Sequence, residues 1–256
     1  MRFLHLLKNG RPLWVRWDGP EAIELSAAPW DPACRDIGRI TLDPGSPLLP
    51  PCQPTKIICV GKNYTAHIRE LHGDEEVPKD PLLFLKPPSA LNAPGGAIIM
   101  PPQSQRVDYE GELALVIGKT ASWCDKNDAT ASIFGFTLAN DVTARDLQKK
   151  DGQWTRGKGF DTFCPVGPYL VTELGPNPAI VTRVNGVEKQ RAGLEQMIFS
   201  PAVIVSYVSQ VMTLHPGDII LTGTPEGVGP LQDGDIVEVE MECIGVLRNS
   251  VEKRKP

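Results

Sequence analysis

Residues Val107 to Gly118 place two carboxylates, Glu110 and Glu112, on either side of one glycine in a stretch that otherwise reads as a buried strand. Side chains alternate across a strand, so Val107, Tyr109, Leu113, Leu115 and Ile117 share one face, and Asp108, Glu110, Glu112, Ala114 and Val116 share the other. Two readings stand at this point. An antiparallel strand with one wet face shows such alternation. The carboxylate face, however, runs on into Ala114 and Val116, as in a strand that passes from a polar pocket into a core. Like charges side by side there need a cation or a shared proton.

A chain of 256 residues buries roughly three quarters of its unfolded surface, enough for one large domain or a large domain with an appendage. Its 25 prolines and 24 glycines fit a β-rich chain with many turns better than a helical bundle. A net charge of -5 argues against phosphate backbones and anionic membranes, so neither nucleic acid nor membrane is expected as a partner. Lys253-Arg254-Lys255 reads as a solvated tail. The six cysteines show no Cys-x-x-Cys spacing and read as reduced thiols, which implies a cytoplasmic location. The apolar run at the N-terminus is broken by Lys8-Asn9-Gly10, too soon for a secretion signal, and no segment is long and apolar enough to span a bilayer.

Asn9-Gly10, flanked by Leu4, Leu6 and Leu7 and by Leu13, Val15 and Trp17, predicts a hairpin over residues 3–17. Five prolines between Leu42 and Pro54 exclude regular helix there and place a boundary near residue 53. Residues 1–53 are thus expected to form a small N-terminal β subdomain with a proline-rich linker, and 54–256 the main domain. Lys56–Gly61 reads as a short buried strand. Asn63–Gly73 reads as a helix capped by Asn63 or Thr65 and stopped by Gly73, with His67 and Glu70 on one face. That pair is either an exposed ion pair or part of a site. Residues 73–81 read as an exposed loop of the kind that covers a site, and Leu82–Lys86 as an apolar run stopped by Pro87-Pro88. Ile133–Asp141 looks like a strand ending in Asp141, followed by a helix capped by Thr143 with Asp146 at its third position. Asp141 is either a turn residue or a ligand at a strand end. Lys158, between Gly157 and Gly159, is either a solvated loop lysine or a site residue. Asn185-Gly186 predicts a second hairpin, and Ser200-Pro201 a helix running to about Met212. The loop Thr222–Gly229 offers amides and hydroxyls to a small anion, but its glycine spacing matches neither a P-loop nor a dinucleotide fingerprint.

Five of these stretches occur in an order that resembles the fumarylacetoacetate hydrolase superfamily, over residues 54 to about 252: Gly61-Lys62-Asn63-Tyr64 with His67 and Glu70; Asp108–Ala114; Asn140–Gln148; Lys158–Pro165; and Thr222–Gly229. The resemblance implies a mainly β (α+β) fold, a mixed β-sandwich roll with a small N-terminal β subdomain, and a homodimer. It also implies one Mg2+ or Mn2+ held by Glu110, Glu112 and Asp141, an all-oxygen set that suits a hard cation. His67 and Glu70 would form the catalytic pair, Glu70 orienting His67 as general base, with Lys158 at the developing enolate. Arg145 and Gln148 would meet the carboxylate and oxo groups of the substrate and Thr224 its carboxylate end, with Tyr64 in the same substrate-binding set. The implied activity is divalent-metal-dependent carbon-carbon cleavage of a 2,4-dioxo or 2-oxo acid through a metal-stabilised pyruvate enolate. Acylpyruvate and fumarylpyruvate hydrolysis fit it, as does oxaloacetate decarboxylation. The alternatives are an isomerase or decarboxylase of an unsaturated dicarboxylic 2-oxo acid in aromatic catabolism, and a non-catalytic metal-binding β-protein. Asp108 is left without an assignment.

Overall fold

The computed structural model describes residues 1–18, 21–43, 45–72 and 76–255. Gly73, expected as a helix stop, and residues 73–75 of the expected covering loop lie outside the described residues. The chain opens with β1 (Arg2–Lys8) and β2 (Arg11–Asp18), joined by a tight turn in which Asn9 and Gly10 take φ of 53° and 77°, the sign that a two-residue hairpin demands. β3 (Glu21–Leu25) and β4 (Asp36–Ile40) extend this meander. Beyond the prolines come β5 (Ile57–Gly61), α1 (Thr65–His72), β6 (Leu82–Lys86), β7 (Leu91–Asn92), β8 (Ile98–Met100), β9 (Val107–Tyr109) and β10 (Gly111–Ile117). Next are α2 (Lys126–Ser132), β11 (Ile133–Asn140), β12 (Thr143–Ala144), α3 (Arg145–Asp151), α4 (Thr155–Lys158) and β13 (Cys164–Val171). The hairpin at Asn185-Gly186 joins β14 (Ala179–Val184) to β15 (Val187–Gly193), and α5 (Pro201–Val211) starts behind Ser200 with proline in its first turn. β16 (Ile219–Leu221), β17 (Gly229–Pro230), β18 (Ile236–Met241) and β19 (Gly245–Lys253) complete the chain.

The largest sheet runs β4-β3-β2-β1-β13-β11-β10-β16-β5-β6, with β7 paired to β13. Its pairs are antiparallel except β5 with β16 and β7 with β13. The N-terminal meander joins this sheet through β1, where Arg2 lies opposite Val171. A second sheet has the order β15-β14-β18-β19-β8, and a short ribbon the order β12-β9-β17. One apolar cluster unites Leu113, Leu115 and Ile117 of β10 with Ile204, Val205 and Val208 of α5 and with Val239, Met241 and Leu247 of the second sheet. On the other side of β10, Ala114 and Val116 pack with Cys59, Ala139, Ile219 and Leu221. Each large aliphatic group so buried contributes about 1.5–3 kcal/mol. β10 is therefore covered on both faces, and the reading of a strand with one wet face does not hold. Among the described residues no helix is long and apolar enough to cross a membrane.

Candidate active site

Antiparallel pairing sets Gly111 opposite Asn140, so the end of β11 arrives beside the start of β10. Glu110 sits in the break between β9 and β10. Its N–H donates to Asn140 Oδ1 at 2.9 Å, and its carbonyl accepts from Asp141 N at 2.8 Å. Side-chain oxygens of Glu110, Glu112 and Asp141 then lie within 4.8 Å of one another, all three residues buried. Burial, and after it the neighbouring Asp141 and Glu110, push the Glu112 carboxyl well up, which marks a place where a cation is wanted. The donor set is all oxygen and suits Mg2+ or Mn2+. The buried thiols that feel these carboxylates are unsuited to a soft metal, since burial pushes Cys59 well up and Cys164 up to about 12.

Basic groups close in on this triad. Lys158 Nζ donates to Glu110 Oε2 at 2.8 Å and to Asp141 Oδ2 at 2.6 Å, and lies 4.9 Å from the centre of the Phe84 ring. Lys158 is 2% exposed, which rules out the solvated-loop reading. Burial works against its charge, but Asp141 and Glu110 outweigh it and hold the ammonium above its ordinary range. The glycine before it has a packing reason: a Cβ on Gly157 falls 2.9 Å from the Gln148 backbone nitrogen, where α4 crosses α3. Glu110 is held low, because Lys158 and Arg145 overcome the penalty of burial.

Arg145 opens α3 and is itself buried. Its guanidinium donates to Asp108 Oδ2 at 3.0 Å, to Gln148 Oε1 at 2.8 Å and to Glu110 Oε1. The helix start differs from expectation. Ala144 is the N-cap residue, Thr143 instead donates its hydroxyl to the Asp141 carbonyl at 2.9 Å, and Asp146 accepts from Ser104 Oγ and Gln105 N. Thr143 belongs to the ribbon strand β12, which leaves it no freedom to cap. A second lysine escaped sequence reasoning: Lys86 Nζ reaches Asp141 Oδ1 at 2.6 Å and the Val142 carbonyl at 3.1 Å. It closes an edge strand before Pro87, where a lysine ordinarily points to water.

His67 and Glu70 share a face of α1, their nearest atoms Nδ1 and Oε2 3.6 Å apart, too far for a hydrogen bond. His67 Nδ1 is buried without a hydrogen-bond partner among the described residues. Burial lowers the imidazole against the pull of Glu110 and Glu70 and so favours its neutral form. Glu70 is fixed from the other side, where Gly227 N donates to both of its oxygens at 3.1 and 3.0 Å. Asn63, one of two expected caps, is engaged elsewhere: its amide donates to the Phe199 and Thr222 carbonyls and accepts from Phe199 N.

A cavity of about 150 Å³ brings together His67, the three carboxylates, Arg145, Gln148, Lys158 and Thr224, with Phe84 and Trp154 on its wall. Tyr64 is not among its lining residues; it is 2% exposed, and burial followed by Glu112 pushes its hydroxyl up. Thr224 is on the wall, but its hydroxyl already donates to the Gly111 carbonyl at 2.9 Å and accepts from Gln190 Nε2 at 2.8 Å. Gln190 also went unnoticed in the sequence, as one more polar residue in a polar strand.

Fold and cavity together define a mainly β protein with a buried acidic triad that could hold a metal ion. The chain belongs to the fumarylacetoacetate hydrolase family: the family described as Fumarylacetoacetate (FAA) hydrolase C-terminal matches residues 56–252. The mitochondrial oxaloacetate tautomerase FAHD2A of Bos taurus is 48% identical over 217 residues, covering 80% of this chain and 68% of the relative. A crystal structure of 5-carboxymethyl-2-hydroxymuconate delta-isomerase from Mycobacterium smegmatis is 42% identical, covers 99% of this chain and 100% of that one, and superposes with a TM-score of 0.90. A fumarylpyruvate hydrolase from Pseudomonas aeruginosa, in complex with Mn2+ and pyruvate, is 32% identical with a TM-score of 0.74, covering 84% of this chain and 94% of that one.

Proposed function

We propose that this chain is a divalent-metal-dependent enzyme that forms the enolate of a 2-oxo acid and, where C4 is a ketone, hydrolyses the C3–C4 bond. The observation that carries this reading is the meeting of His67, whose Nδ1 has no hydrogen-bond partner among the described residues, with the acidic triad and Lys158 in one cavity. A Mg2+ or Mn2+ ion held by Glu110, Glu112 and Asp141 would supply Lewis acidity to the carboxylate and 2-oxo oxygens of the substrate. His67 takes a proton from water, whose oxygen adds to C4. The C3–C4 bond then breaks, its electron pair passes into the enolate, and C3 is protonated to give pyruvate and a carboxylic acid. Lys158 stabilises the enolate oxygen as charge develops. Phe84 and Trp154 keep that step dry. With a carboxylate at C4, CO2 leaves without water, and the same residues perform a decarboxylation.

A second reading is proton transfer without cleavage, favoured by one comparison: the tautomerase and the isomerase, at 48% and 42% identity, are nearer to this chain than the hydrolase at 32%. His67 would then move the proton at C3. A non-catalytic metal-binding protein gives no account of His67 and Lys158 in the cavity. Turnover of oxaloacetate, an acylpyruvate and fumarylpyruvate, each with Mn2+ and with a chelator, separates these readings. Hydrolysis of the acylpyruvate that is lost with chelator and in His67→Ala supports the first. Enol–keto exchange of oxaloacetate with no hydrolysis supports the second, and no turnover of any of the three removes both.

A further inference from the structure

β16 stops short of the metal-binding residues. It pairs with β10 only at Ala114, Leu115 and Val116. Thr222 extends the contact by donating its N–H and its hydroxyl to the Leu113 carbonyl, both at 3.0 Å, and at Gly223 the chain turns away with φ of 97°. Gly111, between Glu110 and Glu112, is left with an N–H and a carbonyl on an edge where no strand follows. A buried backbone group without a partner costs as much as a lost hydrogen bond. Two side chains replace the missing strand. Gln190 Oε1 accepts from Gly111 N at 3.0 Å, and Thr224 Oγ1 donates to the Gly111 carbonyl at 2.9 Å. Gln190 Nε2 closes the ring by donating to Thr224 Oγ1 at 2.8 Å and to the Pro225 carbonyl at 2.9 Å.

We propose that Gln190, 1% exposed on the otherwise largely exposed β15, is a positioning residue of the metal centre: it fixes the backbone of Gly111 so that Glu110 and Glu112 point into one site. The inference rests on the reading of Glu110, Glu112 and Asp141 as a divalent-cation site. Rotation of the peptide planes around Gly111 swings the two carboxylates apart, and among the described residues Gln190 and Thr224 restrain those planes on this edge. Gly111 offers no steric brake of its own. It is a glycine because Thr182 Oγ1 lies 2.1 Å from where a Cβ would stand, so the restraint must come from hydrogen bonds. The same loop carries Gly223 N, which donates to Glu112 Oε2 at 2.6 Å, and Gly227 N, which donates to Glu70. By holding Thr224 and Pro225, Gln190 therefore anchors a loop that touches both a metal-binding carboxylate and Glu70.

Partners of this kind behind a metal site change affinity about 10- to 100-fold when removed. The test is Mn2+ binding to the whole protein, read from the electron paramagnetic resonance signal of free Mn2+. Gln190→Met keeps the volume and deletes the three bonds, so its Kd for Mn2+ is expected to rise about 10- to 100-fold. A structural role alone lowers the melting temperature measured in chelator and leaves that Kd unmoved. Thr224→Val is expected to weaken Mn2+ binding in the same direction, and Thr224→Ser, which keeps the hydroxyl, to restore it; this pair decides the matter if Gln190→Met does not fold. Wild-type Kd in a folded Gln190→Met, or in Thr224→Val where Gln190→Met does not fold, overturns the inference alone. A wild-type protein that binds no Mn2+ overturns the metal reading and the inference with it.

Discussion

Arg145 Nε donates to Asp108 Oδ2 at 3.0 Å, and both residues are buried. Arg106 reaches the same carboxylate from the surface at 2.9 and 3.1 Å. Asp108, the carboxylate that sequence reasoning left unassigned, thus holds one edge of the guanidinium while the other edge serves Gln148 and Glu110. A planar fork can do this, and a lysine ammonium cannot. Asp108→Ala leaves the buried Arg145 Nε without its acceptor, although Glu110 still pairs the charge, and is expected to cost about 1.5–3 kcal/mol in urea unfolding. Asp108→Asn keeps an acceptor and should cost less. A loss below about 1 kcal/mol for Asp108→Ala, the range of exposed pairs, contradicts this account.

Period-two spacing put Glu110 and Glu112 on one face and left Asp141 at a strand end with two readings open; only the resemblance joined the three into one set. Both Asn-Gly hairpins were legible because that dipeptide tolerates the left-handed backbone the turns use. Lys158 stayed ambiguous, since nothing local tells a lysine between glycines whether α4 will fold it inward. Lys86 was hidden because a lysine that closes an apolar run before a proline ordinarily points to water, and Gln190 because its strand is polar, yet both are buried. Thr143 misled because hydroxyl capping and ribbon pairing share a local pattern, and the pairing of Thr143 with Asp108 is a long-range fact.

Lys86 is the second cation on Asp141, and its loss should be felt in two measurements. Lys86→Met fits the apolar stem but leaves Asp141 Oδ1 and the Val142 carbonyl without their donor. Thermal melts in chelator are expected to show a loss of about 1–3 kcal/mol, because two buried acceptors lose their donor while Lys158 still pairs Asp141. Turnover should fall about 10- to 100-fold as Asp141 loses its orientation. Unchanged turnover in a folded Lys86→Met would confine Lys86 to stability.

Asp218 ties the start of β5 to the turn before β16. Its carboxylate accepts from Thr55 N, Thr55 Oγ1, Lys56 N and His215 N at 2.9, 2.7, 3.1 and 2.8 Å, and pairs with Lys56 Nζ. Burial opposes the charge, but the Lys56 and His215 bonds prevail and hold the carboxyl below its ordinary value. A depressed folded pKa gives stability that is present above the unfolded value, about 3.9, and lost as pH falls through the folded one. Asp218→Asn should therefore be less stable than wild type at pH 7, by about 1.5–3 kcal/mol, and the gap should close on acidification below about pH 4. Denaturant midpoints of both proteins from pH 7 to pH 3 check this. A gap that widens towards acid would reverse the assigned sign.

Gly227 links backbone geometry to the proposed catalytic pair. Its φ is 93°, a conformation that L side chains rarely adopt, and a Cβ there would stand 2.0 Å from the Lys189 carbonyl oxygen. Gly227→Ala must therefore move the loop, and with it the N–H that holds Glu70 at 3.1 and 3.0 Å. The expected result is a fall in kcat of about tenfold or more together with a lower melting temperature, because a Cβ at positive φ against a backbone carbonyl strains the folded chain. Glu70→Gln, which keeps the acceptor oxygen and drops the charge, separates the two parts of that effect. If Glu70 acts on His67 through charge, Glu70→Gln loses rate as Gly227→Ala does. If its role is only to close α1 onto the loop, Glu70→Gln retains rate while Gly227→Ala does not.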